Sequence, residues 1–214
     1  MPDFLDESTI FPQKPYIYTV KTERHPFEPF LPPGARILFL GSFPPQPHRW
    51  CMPFYYPNWI NDFWRIMGII HYADKDHFCI PAEKRFDEPA IRAFCADKGL
   101  AFYDTACEIR RLRDNASDAF LEVVTPTDIP SLLQRIPDCR AIVTTGQKAT
   151  EIVAERFGCA IPPVGGCITL VISTGASGVV EKSLRFWRMP STSRAYPLPL
   201  EQKAAAYSLL FQQA

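Results

Sequence analysis

Short apolar runs alternate with amphipathic segments along most of the chain, and this alternation constrains the fold more than any other feature. The clearest runs are ARILFLG (35–41), GLAFYDT (99–105) and RAIVTTG (140–146). Each has the length of one strand and the continuous apolar pattern of a strand covered on both faces. The β-rich residues 167–189 predict a hairpin around a Gly/Ser loop at 173–178. Since helical segments separate the runs, the sequence predicts an α/β fold, a three-layer α/β/α sandwich around a central, mainly parallel sheet of about four strands.

The segment NWINDFWRIMGII follows the first strand and has the period of a helix. Ile60, Phe63, Trp64 and Met67 share one face at spacings of three and four residues, which predicts a buried stripe, and Asn58 is a suitable cap. Further helices are predicted over 89–98, 128–139, 147–158 and 199–213.

Composition favours one domain with an extension. The chain has 214 residues, of which 47% are hydrophobic, so it can bury a substantial core. Residues 1–33 are rich in proline, which prevents a long helix, and we expect them to form an extended arm on a single domain spanning 34–214. The formal net charge of zero neither supports nor excludes a nucleic-acid partner.

The seven cysteines indicate reduced thiols. They are odd in number, widely spaced and contain no C-x-x-C pair, so neither a disulfide framework nor a metal or iron–sulfur site is expected. The N-terminus is acidic and broken by prolines, and no apolar run approaches the roughly 20 residues of a membrane span. We therefore expect a cytoplasmic monomer with no cofactor and no membrane partner.

Ligands of open parallel sheets bind beyond the carboxyl ends of the strands, so the residues that follow each strand are the candidates for a site. The sequence lacks a phosphate loop, a G-x-G-x-x-G dinucleotide motif and a nucleophile elbow. Its four histidines show no metal-ligand spacing. The remaining candidates are the GSFPP loop (41–45), a tyrosine pair followed by an asparagine, and the hydroxyl-rich turn MPSTSRA (189–195).

In this order, these segments resemble the uracil-DNA glycosylase superfamily, most of all its hypoxanthine-DNA glycosylase branch. That branch has a Gly-Ser-x-Pro loop, then Tyr-Tyr, Pro and Asn-x-Phe-Trp. The matching residues are Gly41, Ser42, Pro44, Tyr55, Tyr56, Pro57, Asn61, Phe63 and Trp64. MPSTSRA is similar to the family's Leu-Pro-Ser-Thr-Ser-Pro-Ala turn, and GLAFYDTACEIRR is similar to its second-strand segment. The resemblance covers roughly residues 25–207 and implies a uracil-DNA glycosylase-like fold.

The resemblance implies a DNA glycosylase that hydrolyses the N-glycosidic bond of a deaminated base, uracil or hypoxanthine, flipped out of DNA in base excision repair. Its partner would be DNA containing the damaged base. Such an enzyme holds the base between aromatic and apolar walls and stabilises the departing base anion. The expected catalytic residue is Asn61. The residues expected to bind the base are Gly41, Ser42, Phe43, Tyr55, Tyr56 and Thr145. The residues expected to bind the DNA backbone are Arg188, Ser191, Thr192, Ser193 and Arg194.

Three positions depart from the wider superfamily pattern. Phe43 stands where many relatives have Asp or Asn, Met189 where many have His, and Thr145 where an Asn often reads the base. Two other interpretations therefore stay open. One is a non-catalytic nucleic-acid-binding protein of the same fold, and the other is an unrelated α/β enzyme acting on a free nucleoside or small glycoside. The basic run at 110–113, with Arg110, Arg111 and Arg113, is expected to be a solvated face, and contact with nucleic acid is the alternative.

Overall fold

A five-stranded sheet lies at the centre of the computed structural model, which describes residues 21–112, 120–174 and 180–213. In chain order, the strands are β1 (Thr22–Arg24), β2 (Ile37–Gly41), β3 (Cys79–Ile80), β4 (Arg85–Phe86), β5 (Leu100–Asp104), β6 (Ala106–Arg111), β7 (Leu121–Pro126), β8 (Ala141–Thr145), β9 (Gly166–Thr174) and β10 (Val180–Met189). The helices are α1 (Phe63–Tyr72), α2 (Glu88–Lys98), α3 (Ile129–Arg135), α4 (Gln147–Phe157) and α5 (Leu200–Gln213). Within these ranges, no helix has both the length and the apolar character needed to cross a membrane.

The central sheet has the strand order β5-β2-β8-β10-β9. The first four strands run parallel, and β9 pairs antiparallel with β10 at one edge. The three apolar runs form β2, β5 and β8, and every residue of these strands is buried. The predicted mainly parallel sheet is therefore confirmed, with five strands because the first strand of the predicted hairpin joins it as β9.

Helices cover both faces of the sheet. The chain moves from β2 to β5 in one direction across the sheet, whereas the steps from β5 to β8 and from β8 to β10 run in the other. Right-handed crossovers consequently place α2 on one face and α3 and α4 on the other. Helix α5 packs against α1, which lies in the same β2–β5 connection as α2. The direction changes between β2 and β8, and such a switch point opens a crevice at the carboxyl ends of the strands.

Helix α1 begins at Phe63, later than the apolar pattern indicates. Asn58 Oδ1 accepts the N–H of Ile60 and Asn61 Oδ1 accepts the N–H of Phe63, so two side-chain turns precede the helix. Ile60 lies in the first of these turns and is 52% exposed, so its predicted place in the buried stripe is wrong. The other members of that stripe are buried as predicted, namely Phe63, Trp64 and Met67.

A second sheet, β1-β6-β7, was not expected from the sequence pattern. Strand β1 belongs to the proline-rich segment and pairs antiparallel with β6, and Phe30 forms a bridge to Phe102 of β5. Pro26 and Pro29 lack an N–H, which interrupts the pairing between these two contacts. Residues 1–20 of the predicted arm lie outside the described residues. Residues 113–119 and 175–179, which include part of the predicted basic run and Gly/Ser loop, lie outside them too.

Most of the aromatic residues that follow β2 pack into the core around Phe102. The ring of Phe102 stacks on Phe39 and on Tyr55, with centroid distances of 5.3 and 5.7 Å. The rings of Phe63 and Trp64 each lie 5.7 Å from it. Since aromatic pairs in such offset and edge geometries add to the free energy of burial, this cluster holds α1 and the preceding loop on the sheet.

His71 lies inside this helical layer. Its ring packs against Phe94 of α2 and Phe211 of α5, at centroid distances of 5.0 and 4.7 Å. Its Nε2 is buried without a hydrogen-bond partner among the described residues. Burial lowers the pKa of His71 below its ordinary value of 6.5, and the nearby Lys98 charge acts in the same direction.

We expect the free energy of unfolding to fall as the pH drops below about 6.5, because the unfolded chain then binds a proton that the folded His71 resists. Thermal unfolding at about pH 7.5 and about pH 5 measures the effect. His71→Gln should show a smaller loss on acidification than the parent protein. The exposed His48, changed to Gln, is the matched control. Equal losses in His71→Gln and the parent would show that other groups cause the acid sensitivity.

Candidate active site

One pocket lies over the switch point of the central sheet. The last residues of all four parallel strands line it, namely Gly41, Asp104, Thr145 and Met189. Its volume is about 980 Å³, within the range of small-molecule and cofactor sites. The β8 and β10 ends are joined directly, since the N–H of Gly146 donates to the Met189 carbonyl at 3.3 Å.

The pocket brings together every residue that the sequence marked as a candidate for the site. The lining residues from the end of β2 to the residues before α1 are Gly41, Ser42, Phe43, Tyr55, Tyr56 and Asn61. Those from the ends of β8 and β10 and the following turn are Thr145, Arg188, Ser191, Thr192, Ser193 and Arg194. These segments are far apart in the chain, and the parallel sheet assembles them because the carboxyl ends of its strands share one edge.

A buried arginine holds the GSFPP loop. The Arg111 guanidinium donates to both carboxylate oxygens of Glu23, each at 3.1 Å, and to the Pro44 carbonyl at 3.2 Å. It therefore ties β1, β6 and the loop together. The expectation of a solvated face is wrong for Arg111, whose side chain is buried, although Arg110 beside it is exposed. An unpaired buried guanidinium would be unfavourable, so Arg111 needs these partners. Its bond to the Pro44 carbonyl fixes the position of the GSFPP loop.

The two adjacent tyrosines have different surroundings. The Tyr55 hydroxyl donates to the Glu28 carbonyl at 2.9 Å, and the residue is only 3% exposed. Its ring is largely taken up by core packing. Tyr56 has a left-handed backbone, with φ of 52°, and its ring stacks on Phe63 at 3.9 Å. Its hydroxyl group forms a hydrogen bond of 2.9 Å with Thr145 Oγ1. This bond connects the segment between β2 and α1 to β8 across the switch point.

The Tyr56 phenol stays protonated. Burial raises its pKa well above the ordinary value, and the hydrogen bond with Thr145 opposes this shift only in part. The group is consequently a neutral hydrogen-bonding wall of the pocket, and it is not a candidate for an acid or base in the neutral pH range.

The two hydrogen-bonding groups of the Asn61 side chain have different surroundings. Only an oxygen can accept the N–H of Phe63, so the 2.9 Å contact assigns that atom as Oδ1. The Nδ2 group has no hydrogen-bond partner among the described residues and belongs to a side chain that lines the pocket. The sequence predicted Asn61 as the catalytic residue. The structure gives Oδ1 a capping role and leaves Nδ2 as a donor.

The MPSTSRA turn is held by its own hydroxyl groups. Ser191 Oγ accepts the N–H of Ser193 at 3.3 Å, and Ser193 Oγ accepts the N–H of Ala195 at 3.2 Å. These two amides are therefore occupied, whereas the hydroxyl hydrogens remain available as donors. Thr192 is buried, and its carbonyl accepts the N–H of Asp62 at 2.9 Å.

The two candidate arginines differ in exposure and in the contacts of their guanidinium groups. Arg194 is exposed, and its Nε lies 3.5 Å from Asp62 Oδ1. Arg188 is half-buried, donates to the Pro162 carbonyl at 3.4 Å and also contacts Gln147. Of the two, Arg194 has the guanidinium that is more accessible to an anion entering the pocket.

The structure adds a buried histidine–carboxylate hydrogen bond that sequence reasoning missed. His25 Nε2 lies 2.9 Å from Asp104 Oδ2, and the other ring nitrogen contacts the Phe27 backbone. Asp104 Oδ1 lies 2.5 Å from where a Cβ on Gly41 would stand, so the glycine makes room for this carboxylate at the pocket floor. Asp104 ends a predicted strand, and that position was an available signal. His25 carries no local signal, because only β1 pairing brings it there.

Metal-binding geometry is not found in the part of the chain that the structure describes. No group of three or more His, Cys, Asp or Glu side chains there is arranged to hold a metal ion. The pocket has hydrogen-bond donors, aromatic and apolar walls and a few charged groups.

The fold and pocket define a three-layer α/β/α protein with a pocket at the switch point. No protein-family model matches the sequence, and no curated protein matches it at a significant level. The fold is similar to the solution NMR structure of a Methanosarcina acetivorans protein provisionally named a uracil DNA glycosylase. The TM-score is 0.58 and the identity 19%, with 90% of this chain and 98% of the other covered. At this identity the likeness shows the fold, and it confirms the predicted uracil-DNA glycosylase-like architecture.

Proposed function

We propose that the protein is a DNA glycosylase that hydrolyses the N-glycosidic bond of a deaminated base, uracil or hypoxanthine, flipped out of DNA. The observation that carries this proposal is the convergence of three distant motif segments on one pocket. Each segment resembles the hypoxanthine-DNA glycosylase pattern, in the same order, and the fold is similar to that of a protein provisionally named a uracil DNA glycosylase. A chance resemblance in any one segment would not require the three to share a site.

The proposed reaction passes through an oxocarbenium-like sugar and a departing base anion. Asn61 Nδ2 is the proposed donor that stabilises the developing negative charge. Tyr56 and the backbone of Ser42 and Phe43 would hold the extruded base, since base flipping requires a pocket that replaces lost stacking and pairing. The larger set of proposed base contacts also includes Gly41, Tyr55 and Thr145.

The turn after β10 is proposed to hold the DNA backbone. Its hydroxyl groups and the Arg194 guanidinium provide neutral and charged donors, which are the groups that bind phosphates. The proposed backbone contacts are Arg188, Ser191, Thr192, Ser193 and Arg194. Among these, Arg194 is expected to contribute most because it is exposed and held only by a 3.5 Å contact.

The test is incubation of the purified protein with oligonucleotides that carry one uracil, hypoxanthine or xanthine, followed by alkali cleavage at abasic sites. Cleavage at uracil or hypoxanthine and not in the unmodified strand is the expected result. DNA binding without base release would instead favour the non-catalytic interpretation, which Phe43 and Met189 motivate. Absence of salt-dependent DNA affinity would favour an enzyme acting on a free nucleoside.

Arg194→Ala should weaken DNA binding across sequences and flatten its salt dependence. Loss of one phosphate contact reduces the slope of log affinity against log salt by about 0.9. Fluorescence anisotropy over a salt series measures the slope. Arg188→Ala should have a smaller effect, because its guanidinium is already engaged by Pro162 and Gln147.

Arg140→Ala is the matched control for Arg194→Ala. Arg140 is exposed and precedes β8 at the opposite edge of the sheet, so its removal changes net charge equally without touching the pocket. If Arg194→Ala and Arg140→Ala give the same slope as the parent, the MPSTSRA turn does not contact phosphates.

A further inference from the structure

A lysine is buried beside the pocket. Lys203 of α5 is only 1% exposed, and its Nζ lies 2.8 Å from Asp62 Oδ2 and 2.8 Å from the Ser193 carbonyl. Burial of an ammonium group is unfavourable unless it is paired and hydrogen bonded, and an apolar side chain would fill such a site at lower cost. The presence of a lysine here therefore points to a requirement for this particular geometry.

The lysine connects the two halves of the proposed site. Asp62 follows Asn61 directly and precedes α1, and its N–H donates to the Thr192 carbonyl at 2.9 Å. Lys203 reaches the Asp62 carboxylate on one side and the Ser193 carbonyl on the other. Helix α5 consequently joins the Asn61 segment to the MPSTSRA turn, which come from opposite sides of the switch point.

Asp62 also has a second cation. Arg194 Nε is 3.5 Å from Oδ1, whereas Lys203 contacts Oδ2. If Arg194 were the sole counter-ion, its movement to a phosphate would leave a buried carboxylate unpaired, which is strongly unfavourable. Because Lys203 contacts the other carboxylate oxygen, Asp62 would remain paired if Arg194 moved to a phosphate.

We propose that Lys203 is a positioning residue of this site. Its ion pair with Asp62 fixes Asn61 relative to the MPSTSRA turn and leaves Arg194 available to a DNA phosphate. The inference rests on the proposed glycosylase function, and one part of its test does not depend on base release.

Three variants separate positioning from stability. Lys203→Met removes the charge and keeps much of the length of the side chain. Lys203→Arg keeps the charge. Asp62→Asn combined with Lys203→Met removes both charges, so no unpaired buried charge destabilises the fold. The matched control is Lys182→Met, because Lys182 also donates to a carbonyl, that of Pro137, and has no hydrogen bond to Asp62 or to the MPSTSRA turn.

We expect Lys203→Met to slow single-turnover base release on the order of a hundredfold, the effect of misplacing a reacting group by about 1 Å. Lys203→Arg should recover part of the rate, and Lys182→Met should match the parent. The double variant should regain the parental Tm and remain slow. Recovery of the rate together with Tm in the double variant would overturn the proposal, because Lys203 would then serve only folding.

Hydrogen exchange tests the same connection without any reaction. The Asp62 amide, bonded to the Thr192 carbonyl, should exchange at least about tenfold faster in Lys203→Met and in the double variant. The role of Arg194 is tested by binding to a duplex with a tetrahydrofuran abasic analogue over a salt series. Arg194→Ala should change the slope of log affinity against log salt less in the Lys203→Met background than in the parent.

These measurements distinguish the two proposals. A parent protein that releases no base contradicts the proposed function, while Asp62 exchange and the salt slopes still decide the role of Lys203. Unchanged Asp62 exchange and equal Arg194 effects in both backgrounds would overturn the positioning role even in an active enzyme.

Discussion

Asn61→Ala is expected to lose at least on the order of a hundredfold in single-turnover base release, while DNA binding and folding stay close to those of the parent. The reason is that its Nδ2 donor has no partner among the described residues and belongs to a side chain that lines the pocket, and removal of a donor aimed at developing charge commonly has an effect of this size. The lost contact from Oδ1 to the Phe63 N–H costs only about 1 kcal/mol of stability. Oligonucleotide excision and urea unfolding measure the two effects separately.

Asn61→Asp distinguishes the role of Nδ2 from the role of Oδ1. It keeps an oxygen that accepts the Phe63 N–H but has no donor at the Nδ2 position, so excision should be lost while the helix start is preserved. Asn58→Ala is the control, since it removes a similar local bond, from Asn58 Oδ1 to the Ile60 N–H, one turn earlier. Parental excision by Asn61→Ala would mean that Asn61 is only a cap.

Phe102→Ala is expected to destabilise the fold by about 3–5 kcal/mol, the range for removing a buried aromatic ring. Phe102 is fully buried at the centre of the aromatic cluster, and its truncation leaves a cavity between β5, α1 and the loop before α1. Total stabilities of domains are about 5–15 kcal/mol, so the loss would be a large fraction. Equilibrium urea unfolding measures it.

Phe102→Leu is the matched control for Phe102→Ala. Leucine fills most of the space, so it should cost clearly less than alanine. Leu112→Ala, at an exposed apolar position, should change stability by no more than about 0.5 kcal/mol. A loss below about 1 kcal/mol in Phe102→Ala would mean that the cluster repacks and does not depend on this ring.

The strands of the central sheet were predictable because their signal is local. β2, β5 and β8 are short runs in which every residue is buried, and a continuous apolar run is the pattern of such strands. The end of α4 was predictable for a similar reason, since Gly158 adopts a left-handed backbone, with φ of 60°, that glycine tolerates best.

The start of α1 was not predictable in the same way. The apolar spacing extends back to Ile60, but Asp62 at the cap position directs its carboxylate to Lys203 and not to the helix. Asn61 supplies the oxygen that accepts the first free N–H. The partner of the Asp62 carboxylate thus lies 141 residues away in sequence, where no local pattern can reveal it.

The sequence by itself determined the order of the strands along the chain and which residues follow them, and therefore which candidates could meet at one sheet edge. Only the tertiary structure decided how they are held: Arg111 on Glu23, His25 on Asp104 and Lys203 on Asp62. Such pairs form between residues distant in sequence. They have no period or spacing that a pattern could reveal, since they form only after the backbone has brought their members together. Hydrogen bonding and charge pairing then offset the cost of desolvation.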